Sequence, residues 1–93
     1  MIAAFLFFSA AEYEYPGKWK FTDKNKNSYD VYIDLGGGAS STKGQGQMGE
    51  WKFSGSGIQI AWTDGTTSSL SKTGATYQQS SSDGSASSAE KTG

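Results

Sequence analysis

Two back-to-back runs of alternating residues between positions 49 and 65 constrain this chain more than any other stretch. Trp51 and Phe53 alternate with Glu50, Lys52 and Ser54, and Ile58, Ile60 and Trp62 alternate with Gln59, Ala61 and Thr63. A period of two is the mark of a half-buried strand. Ser54-Gly55-Ser56-Gly57 supplies the glycines of a tight hairpin between the runs, and Asp64-Gly65 supplies a second turn directly after them. The result is a hairpin with one apolar face, which is not stable alone, so the rest of the chain must contribute more sheet.

The remaining sequence repeats that logic. Trp19 and Phe21 share one face of the segment that Gly17 opens, with Lys18 and Lys20 on the other, and Lys24-Asn25-Lys26-Asn27 forms a polar turn. Tyr29, Val31, Ile33 and Leu35 then alternate with Ser28, Asp30, Tyr32 and Asp34, the clearest strand in the chain. Gly36-Gly37-Gly38 ends it, and residues 39–43 read as a weak strand of small residues. Past Gly65 the segments 66–72, 75–81 and 85–91 carry few large apolar residues, chiefly Leu70 and Tyr77, yet Thr73-Gly74 and Asp83-Gly84 keep the turns evenly spaced. About eight short strands at regular intervals predict an all-β antiparallel up-and-down meander closed into an eight-stranded barrel, which removes exposed strand edges. A competing reading is a four- or five-stranded sheet over residues 17–64 followed by a disordered Ser/Thr/Gly tail. The expected inward set is Trp19, Phe21, Tyr29, Val31, Ile33, Leu35, Trp51, Phe53, Ile58, Ile60, Trp62 and Leu70, with Ala75 and Tyr77 as further inward candidates.

A Gly-x-Trp opening strand, a second Gly-x-Trp at Gly49, then Ile58-x-Ile60-x-Trp62-x-Asp64-Gly65 and a Ser-rich closing strand resemble small exported bacterial lipocalin-like barrels, related in shape to the calycin group. The resemblance covers residues 17–91. It implies an eight-stranded barrel with a possible internal ligand, and it brings no catalytic residues. The chain is much shorter than typical lipocalins, which argues against a large cavity.

Chemistry is narrowly bounded. Histidine and cysteine are both absent, which removes the commonest base near neutral pH, thiolate nucleophiles, disulfides and the usual zinc ligands. No serine has a histidine to activate it, and Asp30 and Asp34 stand about 13 Å apart along a strand, too far for a shared metal or a glycosidase pair. Gly44-Gln45-Gly46-Gln47-Met48-Gly49 matches the spacing of a dinucleotide-binding loop, but strand alternation follows it where that loop needs a helix, so it reads as a hairpin turn. The net charge of −1 gives no electrostatic case for nucleic acid. The chain is expected to be no enzyme and to carry no cofactor and no metal.

Residues 1–11 form an uncharged apolar run ending in small residues, with Ser9 and Ala11 placed as in a secretory cleavage site before Glu12. The basic residues that normally precede such a run are missing. The expectation is a secreted or periplasmic protein with a signal-like segment over residues 1–11 and one barrel domain over residues 12–93. Eleven residues are too few to cross about 30 Å of hydrocarbon, so no membrane span is expected. The functional expectation is a small, partly apolar ligand with a few hydroxyls, held between Trp19, Trp51, Trp62, Tyr77 and Gln79. The alternative is a structural surface or extracellular protein that self-associates through its Ser/Thr-rich half and has no small-molecule ligand.

Overall fold

The computed structural model describes residues 14–93. The signal-like segment and its expected cleavage after Ala11 lie outside the described residues. Eight strands follow in chain order: β1 (Gly17–Asp23), β2 (Ser28–Ile33), β3 (Gly38–Ser41), β4 (Gln47–Ser54), β5 (Gly57–Trp62), β6 (Thr67–Thr73), β7 (Thr76–Ser81) and β8 (Ala86–Lys91). Each pairs antiparallel with the next, and β8 returns to β1 through Trp19↔Lys91, Phe21↔Ala89 and Asp23↔Ser87, so the barrel is closed. The tail reading for the region after Thr63 is thereby overturned. Backbone ladders and turn residues suffice to form β6, β7 and β8, because a strand needs its hydrogen bonds and its turns more than it needs large side chains.

The turns explain the even spacing. β4–β5 and β6–β7 are joined by two-residue loops, and in both the first loop residue is a glycine at positive φ, Gly55 at +60° and Gly74 at +63°. That is where a type II′ turn, whose twist matches the strands, needs glycine. The Gly-x-Gly-x-x-Gly stretch at residues 44–49 spans the β3–β4 loop and the start of β4, as a hairpin connection.

The inward positions are apolar towards one end of the barrel and polar towards the other. Towards the end where the chain enters, called the lower end here, Tyr15, Trp19, Phe21, Val31, Ile33, Ala39, Ile58, Ile60 and Leu70 form a buried apolar core. Trp62 joins it from β5, and Gly49 directly across the ladder leaves room for its rings: a Cβ there would lie 3.0 Å from the Trp62 ring. Tyr29, Trp51, Tyr77 and Ala89 are half-buried against this cluster. Three expected inward positions are corrected. Leu35 is 50 % exposed because β2 ends at Ile33 and Leu35 falls in the following turn. Phe53 is 46 % exposed although it pairs with buried Ile58: it stands at the lower rim, one pair from the Gly55-Ser56 turn, and its ring meets half-buried Trp51 edge-on at 5.3 Å. Ala75 is the second residue of the β6–β7 turn and faces solvent.

Candidate functional site at the polar mouth

The upper end of the barrel is framed by the loops over residues 24–27, 42–46, 63–66 and 82–85. Here the inward positions are polar. Trp62 begins a hydrogen-bonded arc across the closing strands: its Nε1 donates to Ser68 Oγ at 2.9 Å, and Ser68 Oγ lies 3.4 Å from Ser81 Oγ. Gln79 Nε2 donates to Ser81 Oγ, and Ser87 Oγ donates to Gln79 Oε1 at 2.7 Å. Ser68, Gln79 and Ser87 are buried. A second arc runs over the opposite wall, where Ser41 Oγ donates to Gln47 Oε1 at 3.1 Å and Gln47 Nε2 donates to Asp64 Oδ2 at 3.0 Å. No buried side-chain polar atom among the described residues lacks a partner, which is what makes a polar interior tolerable at low dielectric.

Above the Gln79–Ser87 pair opens a cavity of about 290 Å³ lined by Asp23, Tyr29, Thr42, Lys43, Ser85 and neighbouring residues. Tyr29 forms an aromatic wall, held edge-on by Phe21 with ring centroids 5.7 Å apart, and Lys43 Nζ stands 5.5 Å from the Tyr29 centroid. Burial raises the Tyr29 hydroxyl pKa, and the charges of Asp83 and Asp23 raise it further, so the hydroxyl stays protonated as a donor.

Two rim loops share one construction. In Asp64-Gly65-Thr66 the Asp64 Oδ1 accepts from Thr66 N at 2.9 Å and Thr66 Oγ1 at 2.6 Å, and in Asp83-Gly84-Ser85 the Asp83 Oδ1 accepts from Ser85 N at 2.9 Å and Ser85 Oγ at 2.7 Å. These bonds hold both carboxyls below the usual carboxylate range, for Asp64 led by the Thr66 hydroxyl and for Asp83 by the Ser85 backbone. The carboxylates therefore serve as turn locks with fixed negative charge. Among the described residues no group of three or more acidic side chains is placed to hold a metal ion. Among the described residues no helix is long and apolar enough to cross a membrane.

The five residues singled out from sequence do not share one wall. Gln79 lines the mouth, and Trp62 is joined to it through Ser68 and Ser81. Trp19 and Tyr77 lie below, packed edge to face at 4.8 Å in the core. Trp51 sits half-buried at the lower end and donates from Nε1 to the Asp34 carbonyl at 2.6 Å. Sequence reasoning missed Tyr29, Ser68, Ser81 and Ser87 as site residues. The available signal was parity, since all four share the inward phase of their strands. No family model, no curated protein and no solved structure matches this chain.

Proposed function

We propose that this chain is a non-catalytic, lipocalin-like binding barrel, exported by a bacterial cell, that holds a small, partly apolar molecule with a few hydroxyls at its polar mouth. The observation that carries this reading is the split interior. The apolar half is filled by its own rings, whereas the upper half presents amides and hydroxyls beneath an open cavity walled by Tyr29. A sugar-sized ring could stack on Tyr29 and exchange hydrogen bonds with Gln79, Ser87 and Lys43, the pattern of a few directed polar groups beside an apolar wall that small-ligand sites use. The lack of catalysis is supported by the bonding of the arc: its serine oxygens contact amides, an indole and other hydroxyls, and none contacts a base. Export rests on the apolar run over residues 1–11. The test is amide-resolved NMR titration with a panel of monosaccharides and small cyclic alcohols. Shifts clustered at Gln79, Ser87 and Tyr29 are expected, abolished by Gln79→Leu. A panel that moves no mouth resonance would overturn the proposal.

Self-association is the second reading, and one observation favours it. The outward residues of β6 and β7, Thr67, Ser69, Ser71, Gln78 and Ser80 among them, carry no charge, so that face lacks the repulsion that keeps sheet surfaces apart. Sedimentation over a hundredfold concentration range separates the two readings, with a mass that stays monomeric arguing against assembly.

A further inference from the structure

The lower end of the barrel is closed in an unusual way. Residues 14–16 precede β1 and, among the described residues, take part in no backbone ladder. Tyr15 nevertheless retains only 2 % exposure. Its ring stacks on Trp19 at 6.1 Å with the planes 19° apart and meets Tyr77 edge-on at 6.0 Å. Its carbonyl accepts from Trp19 Nε1 at 2.8 Å, its hydroxyl reaches the Ser56 carbonyl at a long 3.5 Å, and the neighbouring Glu14 carboxylate accepts from the Tyr77 hydroxyl. The Glu14-Tyr15 pair thus behaves as a plug: a phenol and acceptor oxygens inserted into an aromatic cage and held by side-chain contacts.

Removing the plug would leave two donors, Trp19 Nε1–H and Tyr77 O–H, without their acceptors beside an aromatic wall. Such groups stay buried only if something replaces the acceptors. We propose that this lower end is a second ligand site, held shut by Glu14 and Tyr15, and that it takes a small hydroxyphenyl carboxylate in their place. The ring would stack on Trp19 against Tyr77, the carboxylate would accept from the Trp19 indole and the Tyr77 hydroxyl, and the phenol would donate to the Ser56 carbonyl. The Glu14-Tyr15 segment lies outside the strand ladder, so displacing it breaks ring contacts and the bonds to Trp19 and Tyr77 but no strand pairing. The plug competes with the ligand, so the affinity of the intact chain is reduced by the fraction of time the cage is closed.

The site stands independently of the mouth, which lies at the other end. Calorimetric titration of the full chain with 4-hydroxyphenylacetate is the test, read together with shifts of the Trp19 indole and Ser56 amide. The intact chain should bind weakly, and Tyr15→Ala should bind about tenfold more tightly or better, because the competitor is gone. Glu14→Ala removes only one half-buried side chain, preserves the ring plug, and should strengthen binding by a smaller factor, so it carries the comparison if Tyr15→Ala does not fold. Tyr77→Phe removes one of the two donors to the carboxylate and should reduce the preference for it over 4-methylphenol, with the Trp19 indole keeping the rest. No binding by the intact chain, equal affinity in the Glu14→Ala variant, or no preference for the carboxylate would each overturn the proposal. Shifts confined to Gln79 and Ser87 would assign the ligand to the mouth and overturn it as well.

Discussion

Replacing Trp62 with alanine separates a packed tryptophan from a ligand platform. Trp62 is only 7 % exposed, and its Nε1 is the first donor of the polar arc. A tryptophan side chain buries on the order of 150–250 Å². At about 25 cal/mol per Å² that is ~4–6 kcal/mol as an upper bound, and measured truncations of this kind in cores cost about 3–5 kcal/mol. For a domain of this size each kcal/mol moves Tm by roughly 4–8 °C, so the drop should be on the order of 12 °C or more. Trp62→Phe keeps an aromatic ring and loses chiefly the bond to Ser68, at about 1–2 kcal/mol, softened by the contact Ser68 keeps with Ser81. Trp51→Ala, at a half-buried site, should cost only ~2 kcal/mol. Urea titration followed by circular dichroism gives all three values. If Trp62→Ala leaves the unfolding midpoint unchanged, or if Trp51→Ala is the costlier change, the assignment of Trp62 to the core is wrong.

Other expectations follow from single contacts. Ser87→Ala strands the buried Gln79 Oε1 and should cost about 1–3 kcal/mol, while adding Gln79→Leu should recover part of that loss in the same urea assay. A Cβ on Gly57 would sit 2.1 Å from the Leu70 carbonyl oxygen, so Gly57→Ala should destabilise by about 1–3 kcal/mol or more, against ~1 kcal/mol for Gly55→Ala, where space is open and only the positive φ is strained. The Tyr77 hydroxyl is pushed up to about 12 by its bond to Glu14, then by burial and nearby charge. The folded state holds that proton more tightly than the unfolded chain, so the contribution is complete below the ordinary pKa of 10.0 and fades as pH rises towards 12. Tyr77→Phe should therefore flatten the alkaline stability profile, leaving the smaller same-sign slopes of Tyr15 and Tyr29, and a profile equally steep without Tyr77 would refute the assignment.

Strand number was legible because turn chemistry is local. Asp64-Gly65, Gly74 and Asp83-Gly84 mark the ends of β5, β6 and β7 whatever the side chains between them. The extent of each inward face was less legible. Alternation assigns Leu35 and Phe53 the same phase as Ile33 and Trp51, but phase says nothing of where a strand or the core stops: Leu35 falls in the turn after β2, and Phe53 stands at the lower rim of β4. The polar interior was hidden for a different reason. Ser68, Ser81 and Ser87 have the inward phase, yet in a Ser-rich strand both faces look alike, and only closure of β8 onto β1 decides which hydroxyls are enclosed. Tyr15 escaped because it belongs to no strand: its burial comes from the aromatic cage of Trp19 and Tyr77 that the closed barrel assembles.

Closure is the claim on which mouth, core and plug all depend, and amide hydrogen exchange of the full chain tests it most directly. The ladder between β8 and β1, with those joining β6, β7 and β8, predicts protection in these strands comparable to that in β1, β2, β4 and β5, with Phe21 and Ala89 close enough to give a cross-strand proton contact. Unprotected amides throughout residues 67–91, beside protected ones in β1, β2, β4 and β5, would contradict a closed barrel and remove the enclosed mouth with it.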